Sequence, residues 1–314
     1  MKQNRFLLIL IILINSYVVA QNKIAVTIDD LPLQRIGSYS KEQYESLTKK
    51  LLKNLSLQKV PVIGFVNEGK LFTNNKLDEN KAALLKQWLD AGFELGNHTF
   101  THKSANQISA EEFNGDILKG EQVIRKLVES SGKRLEYFRH PFLHTGLSLA
   151  KRDSINDFLS NHNYKIAPIT FDNSEWIYSA AYDKAIKEKN EQTMNKIGED
   201  YLSYMKLKLE YWESQSIALF GRNISQTLLI HANALNAEYF DELCEIIRKK
   251  NYVFVTLDGA LKDEAYESPD TFIKNNGISW IHRWAITQGK KKDFFGNEPE
   301  ASKWVADYAG IDYE

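Results

Sequence analysis

The sequence predicts an α/β fold built on a parallel β-sheet. Three observations support this prediction: short apolar runs recur along the chain, amphipathic segments of helical period separate them, and polar side chains follow the ends of several runs. Strands that alternate with helices in this way form βα units, whose strands run parallel to one another. The pattern alone allows either a closed barrel or a doubly wound sheet.

Seven strands are predicted, with six helical segments between them. The strands are expected at residues 24–28, 60–66, 93–96, 136–138, 165–171, 227–230 and 252–256. The helical segments are expected near residues 41–57, 78–91, 109–130, 148–162, 182–214 and 237–250.

The first twenty residues have the pattern of a secretory signal peptide. Lys2 and Arg5 precede an unbroken apolar run over residues 6–14, and small residues suit cleavage after Ala20. The run is short for a membrane span, so we expect no stable membrane anchor after cleavage, although an uncleaved anchor is the alternative. The mature protein is therefore expected to be exported, to the periplasm or the extracellular space.

The composition argues against a general affinity for nucleic acid. The chain holds 40 Lys and Arg against 41 Asp and Glu, and loss of Lys2 and Arg5 leaves 38 basic residues and a net charge of −3. The single cysteine, Cys244, can form no internal disulfide, so an exported protein of this kind must rely on a large apolar core.

We predict one catalytic domain over residues 21–263 and a C-terminal extension over residues 264–314. The segment 180–226 is predicted to be a charged helical insertion that serves as a scaffold, with a lid as the alternative. The extension has no regular period, and we expect its tryptophans, Trp280, Trp284 and Trp304, to attach it to the catalytic domain.

Two adjacent carboxylates, Asp29 and Asp30, end the first apolar run. Ordinary turn chemistry is one interpretation of the sequence Asp-Asp-Leu-Pro. The other is a site in which one Asp holds a cation and its neighbour handles a proton, with strand alternation directing the two side chains apart. Polar residues follow the other strands too, and the carboxyl ends of the strands in a parallel barrel share one face.

His98 and His102 follow the third strand at a spacing of four residues. On a helical turn this spacing brings both imidazoles to one face. Together with Asp30 they form a set of one oxygen and two nitrogen ligands, which leaves a coordination position open as in catalytic zinc sites.

Further candidates follow the later strands. Arg139 is expected to hold one of the two carboxylates ionised through a forked hydrogen bond, and Pro141 to fix the turn that presents the next backbone amide. His231 directly follows an apolar strand, and an acid of the segment 172–176 would raise its pKa and make it a proton donor.

The order of these motifs resembles that of the polysaccharide deacetylases, carbohydrate esterase family four, over about residues 23–260. The five motifs are Thr27-Ile28-Asp29-Asp30, His98-Thr99-Phe100-Thr101-His102, Arg139-His140-Pro141-Phe142, Asp172-Asn173-Ser174-Glu175-Trp176 and Leu229-Ile230-His231. The resemblance implies a distorted (β/α)7 barrel and metal-dependent removal of N-acetyl groups from the amino sugars of chitin-like or peptidoglycan substrates. Two residues depart from the family pattern: Ile28 replaces the usual Phe, and Glu175 stands where Asp often precedes Trp176.

The resemblance also implies a role for each motif residue. Asp29 corresponds to the general base, Arg139 to its orienting partner, and His231 to the general acid, tuned by either Asp172 or Glu175. The remaining residues divide into metal ligands, which are Asp30, His98 and His102, and substrate-binding residues, which are Pro141, Phe142 and Trp176. Zinc is the expected metal, with cobalt, nickel or manganese as alternatives. Alternative functions are an O-acetyl esterase acting on acetylated xylan and a non-catalytic glycan-binding homologue.

Overall fold

A computed structural model of the chain describes residues 21–312. The predicted signal peptide, residues 1–20, lies outside the described residues. Among those that are described, no helix combines the length and the apolar character that crossing a membrane requires.

Seven of the described strands form one parallel sheet, and the other two form a small antiparallel hairpin that the sequence pattern did not predict. The sheet strands are β1 (Asn22–Leu31), β2 (Val62–Val66), β5 (Glu94–Asn97), β6 (Tyr137–Phe138), β7 (Lys165–Ile166), β8 (Gln226–His231) and β9 (Tyr252–Phe254), and the hairpin strands are β3 (Phe72–Thr73) and β4 (Lys76–Leu77).

The helices surround this sheet. They are α1 (Lys41–Gln58), α2 (Glu79–Asp90), α3 (Ala110–Lys119), α4 (Ile124–Ser130), α5 (Leu149–Asn161), α6 (Glu175–Lys187), α7 (Glu191–Phe220), α8 (Ala234–Lys249), α9 (Leu257–Leu261), α10 (Trp280–Thr287) and α11 (Lys303–Ala309).

The sheet curls into a distorted barrel. Its strand order is β7-β6-β5-β2-β1-β8, and β9 pairs with the start of β1. Beyond β7 the chain crosses to the far side of the sheet, where Phe171 pairs with Leu228 of β8 in an isolated parallel bridge. The segment 165–171 therefore contacts β6 at its start and β8 at its end, which brings the two edges of the sheet together. The prediction of a distorted βα barrel is confirmed.

Two of the predicted helices are each broken in two. The segment 109–130 forms α3 and α4, because α3 ends at Gly120, where a side chain would lie 2.5 Å from the backbone of Thr99. The predicted insertion helix, 182–214, forms α6 and α7. Lys189 adopts a left-handed conformation between them, and Asn190 caps α7 by accepting a hydrogen bond from the backbone of Thr193.

The C-terminal extension contains two helices, α10 and α11, although its sequence shows no regular period. Trp280 and Trp284 are buried in the main core, and the indole N–H of Trp304 donates to Asp200 of α7 over 2.7 Å. Aromatic side chains of the extension therefore contact both the main core and α7.

Candidate active site

Asp29 and Asp30 lie within β1, which runs three residues beyond the predicted end at Ile28. Asp29 pairs in register with His231 of β8. On the other side of β1, the pairing with β2 is irregular between Ile28 and Leu31, and Asp30 has a left-handed φ of 69°. A bulge, rather than simple strand alternation, directs the two carboxylates to different positions, so that part of the prediction is wrong.

The two histidines are brought together by a loop and not by the predicted helical turn. Thr99 and His102 both have positive φ, 65° and 58°. The Nε2 atoms of His98 and His102 nevertheless face each other at 3.2 Å. The spacing correctly identified the pair, but the conformation that joins them depends on contacts distant in the sequence.

Three polar side chains hold this loop in place. Asn97 accepts a hydrogen bond from the backbone N–H of Thr99 at 2.7 Å, and the Asn67 amide donates to the carbonyls of Thr99 and Phe100. Asp116 of α3 accepts from the backbone and hydroxyl of Thr101. These bonds satisfy backbone groups that a helix would have paired internally, and so stabilise the irregular conformation.

Asp30, His98 and His102 each offer a ligand atom, and these atoms all lie within 4.8 Å of one another. His98 Nδ1 donates to the carbonyl of Arg139 at 2.8 Å, which leaves the lone pair of Nε2 directed at the cluster. One oxygen and two nitrogen donors arranged in this way fit a divalent cation.

The charges in the cluster also suit metal binding. Burial acts to raise the pKa of Asp30, but Lys70, His102 and His231 outweigh it and hold the pKa well below its usual value. Lys70 Nζ lies 3.0 Å from Asp30 Oδ1. Burial lowers the pKa of both His98 and His102, so both imidazoles are neutral, the form that binds metal. Lys70 belongs to no recognisable motif, and sequence reasoning missed it.

Asp29 is buried beside the cluster and contacts Arg139. Burial raises the pKa of Asp29 to about 6, against the opposing charge of Arg139. Arg139 Nη1 donates to Asp29 at 3.3 Å, and Nη2 donates to the Thr27 hydroxyl at 3.0 Å. The sequence predicted that both hydrogen bonds of the guanidinium would go to one carboxylate, but they go to two residues. Thr27 and Asp29 point to the same face of β1, so both lie within reach of Arg139.

His231 pairs with Glu175. Its Nδ1 lies 2.7 Å from Glu175 Oε2, while the other carboxylate oxygen accepts from the amides of Asn233 and Asn236. Burial acts to lower the pKa of His231, but the hydrogen bond and the charge of Glu175 raise it above its usual value. Asp172 makes no such contact; its carboxylate accepts from the backbone of Asn173 at 2.9 Å, and burial raises its pKa to about 6.

A cavity of about 750 Å³ opens onto these groups. Trp176 and Phe142 lie in its wall and are 38% and 55% exposed, and the Phe142 ring stands edge-on to His102 at 4.6 Å. Pro141 is buried and begins the turn before Phe142, but it does not line this cavity. The role of Pro141 in substrate binding stays a prediction.

Other parts of the cavity wall come from segments in which the sequence analysis predicted no site. They are Lys208 of α7, together with Gly277, Ile278 and residues 298–300 of the C-terminal extension. In the sequence these residues belong to a charged helix and an aperiodic tail, where nothing local marks them.

The fold and these side chains define the class of the domain. It is a curled parallel βα sheet with a candidate metal centre at the carboxyl ends of its strands, and two titratable groups, Asp29 and His231, flank that centre. The class fits a metal-dependent hydrolase.

A comparison of sequences finds a polysaccharide deacetylase domain: residues 17–165 match the family model of that description. The hydrolases of that family act on acetylated glycans. Asp29, Asp30, both cluster histidines and Arg139 lie inside the matched segment, whereas Glu175 and His231 lie beyond it. None of the curated proteins matches the sequence at a significant level.

Solved structures with the same architecture are distant in sequence. A family 4 acetyl xylan esterase from Clostridium thermocellum, in complex with a cobalt ion, is 18% identical with a TM-score of 0.50, over 76% of this chain and 90% of that one. The peptidoglycan deacetylase PdaC from Bacillus subtilis is 21% identical with a TM-score of 0.47, over 77% and 93% of the two chains. A CE4 family pseudoenzyme from Bacillus anthracis is 13% identical with a TM-score of 0.48, over 77% and 66%.

Proposed function

We propose that this protein is a metal-dependent deacetylase that removes N-acetyl groups from amino sugars in chitin-like or peptidoglycan substrates. One observation carries the proposal. Asp29 and His231 occupy paired positions on β1 and β8, and the cluster of Asp30, His98 and His102 lies beside them. A base, an acid and a set of metal ligands are thereby gathered in one cavity.

Asp30, His98 and His102 are the residues that would hold the cation. A divalent cation bound there supplies Lewis acidity, which polarises an acetyl carbonyl and lowers the pKa of water. Zinc is the first candidate, and cobalt, nickel and manganese are alternatives, because a set of one carboxylate and two imidazoles selects weakly among them.

Asp29 acts as the general base and takes a proton from the attacking water. Arg139 fixes the position of Asp29 through its hydrogen bond and keeps the second guanidinium N–H group on Thr27. The backbone N–H of Phe142 is proposed to donate to the carbonyl oxygen as negative charge develops on it, which is the stage at which such a donor accelerates the reaction.

His231 acts as the general acid and gives a proton to the departing amine. Its Nδ1 is held by Glu175, so Nε2 is the nitrogen that faces the cavity and carries the transferred proton. Protonation is needed because an amide nitrogen leaves poorly as an anion at neutral pH. The C–N bond then breaks, and acetate and the free amino sugar are released.

The proposal is tested by measuring acetate release from chitooligosaccharides, peptidoglycan and acetylated xylan by the metal-loaded protein. Asp29→Asn is expected to keep its bound metal and to lose activity by about 10²-fold to 10⁴-fold. His98→Ala is expected to lose the metal. His162→Ala and Asp90→Asn change exposed residues of the same types and serve as controls.

Each outcome has a separate meaning. Wild-type protein that releases no more acetate than Asp29→Asn from any of the three substrates would show that the protein is not a deacetylase. Release from acetylated xylan alone would favour the O-acetyl esterase function. Full metal occupancy in His98→Ala would refute the ligand assignment.

A further inference from the structure

One wall of the cavity contains a buried ion pair whose residues belong to none of the family motifs. Lys208 of α7 is only 3% exposed, and its ammonium group pairs with Glu298 of the C-terminal extension. The same ammonium lies 5.2 Å from the ring centre of Trp212. Burying a lysine is costly even when it is paired, and apolar residues would join α7 to the extension at a lower cost. This pair therefore suggests a role in binding.

The pair is continuous with the reacting end of the cavity through Asp172. Burial is the main reason for the raised pKa of Asp172; Lys208 lowers that pKa, Glu298 raises it, and His231 also lowers it. Asp172, Lys208, Glu298 and His231 all line the same cavity, and Trp212, whose ring lies beside Lys208, donates its indole N–H to the Asp172 carbonyl at 2.7 Å. A ligand anchored near His231 would extend toward Lys208 and Glu298.

The charge of this wall is negative overall. Three carboxylates, those of Asp172, Glu298 and Glu300, line the cavity here with a single ammonium, that of Lys208. The exposed rings of Trp176 and Phe142 add apolar surface of the kind on which a sugar ring packs. The wall offers donors and acceptors to hydroxyl groups, and it repels a second anion.

We propose that Lys208 and Glu298 form a subsite for the sugar next to the acetylated residue, and that this subsite selects neutral sugars over sugars that carry a carboxylate. The Lys208 N–H groups donate to a hydroxyl oxygen, and Glu298 accepts from an O–H group. The inference rests on the proposed deacetylase function and makes it more specific: neutral amino-sugar oligosaccharides become the preferred class, and glycans with acidic sugars become poor ligands.

The test compares the binding of two tetrasaccharides by calorimetry. One contains only N-acetylglucosamine, and the other alternates N-acetylglucosamine with the acidic sugar N-acetylmuramic acid. All proteins are metal-loaded and carry Asp29→Asn, so that neither ligand is consumed. We expect the parent protein to bind the neutral tetrasaccharide at least about tenfold more tightly than the acidic one. The carboxylates of the cavity wall repel the carboxylate of N-acetylmuramic acid, whereas they accept hydrogen bonds from sugar hydroxyls.

Two variants then test the pair itself. Glu298→Gln is expected to reduce the preference for the neutral ligand by about threefold to tenfold, because one repelling charge is removed. Lys208→Met is expected to weaken binding of the neutral ligand by about tenfold, the value of a hydrogen bond to a charged group. Lys206→Met on α7 and Glu267→Gln in the extension change exposed residues of the same elements and should alter neither affinity.

A pair that only ties the extension to α7 would behave differently. Its loss would weaken both ligands by the same factor and leave the preference unchanged, and that result in Glu298→Gln overturns the inference. Equal binding of the two ligands by the parent protein also overturns it. If Lys208→Met does not fold, Glu298→Gln alone decides, because Glu298 is partly exposed and its substitution is mild.

Acetate release by the protein with Asp29 intact is measured separately. Selective binding without acetate release would disprove the deacetylase function and leave the subsite in place. Acetate release without selective binding would support the deacetylase function and disprove the subsite.

Discussion

Asp29 and Asp30 are neighbours in the chain, but their surroundings push their pKa values in opposite directions. Burial raises the pKa of Asp29 to about 6, and Lys70 and the nearby histidines hold that of Asp30 well below its ordinary value. Such a divergence between two close acids is typical of groups with different chemical roles. It suits Asp30 to bind a cation and Asp29 to exchange a proton.

Glu175→Gln is expected to change the pH dependence of acetate release, because the substitution alters the pKa of His231. Glu175 raises the pKa of His231, so the acid stays protonated to a higher pH in the wild type. Without that charge the pKa falls, and the alkaline limb of the kcat profile should move to lower pH by about one unit or more. Acetate release measured across the pH range checks this, and Asp172→Asn should shift the limb less.

An alkaline limb that stays in place in Glu175→Gln and moves in Asp172→Asn would contradict this pairing. It would assign the tuning of His231 to Asp172, the other acid that the sequence left open.

At the scale of elements, the C-terminal extension packs directly on the turn that carries Phe142. Phe142 and Leu143 both adopt a left-handed conformation, with φ of 57° and 56°, which non-glycine residues adopt only when their surroundings impose it. Arg283 of α10 donates to the Leu143 carbonyl at 3.2 Å and is itself held by Asp270. A side chain at Gly277 would lie 1.8 Å from the Phe142 carbonyl oxygen.

Gly277→Ala is expected to push the extension and the Phe142 turn apart. Displacement of catalytic groups by about 1 Å can cost 10²-fold in rate, so we expect kcat/KM for acetate release to fall by about tenfold to a hundredfold. Bound metal should stay at the wild-type level, because the candidate ligands lie on β1 and on the loop after β5. Gly296→Ala is the matched control, since its new methyl group would meet only an atom 3.7 Å away. Equal activity of the two variants would exclude a role for this contact.

At the scale of the whole molecule, stability rests on packing without any disulfide. Cys244 of α8 is fully buried in the main core, and burial raises the pKa of its thiol to about 12. A buried thiol of this kind behaves as a small apolar residue and resists oxidation.

We propose that the protein is exported and cleaved after Ala20, so that the mature chain begins at Gln21. N-terminal sequencing of protein recovered outside the cytoplasm checks the cleavage, and a chain that starts at Met1 would refute it. The free energy of unfolding should be the same with and without a reducing agent, because a lone buried cysteine forms no internal bond. A reductant-sensitive stability would contradict the second expectation.

Much of the fold, and which residues meet at the candidate metal centre, could be predicted because their signals are local. Apolar runs identified the seven strands of the sheet, and the polar residues that follow them had to meet, because parallel strands share a carboxyl edge. Asp29, Asp30, His98, His102 and His231 were found in this way.

The sequence by itself determined the order of strands and helices and the chemical groups at the strand ends. Only the tertiary structure decided that a loop joins the two histidines and that Arg139 donates one hydrogen bond to Asp29 and another to Thr27. It likewise decided that Glu175, and not Asp172, pairs with His231. It also decided that Lys208 and Glu298, ninety residues apart, meet in one wall of the cavity. The physical reason is that strand and helix periods depend on neighbouring residues, whereas these contacts depend on how distant segments pack.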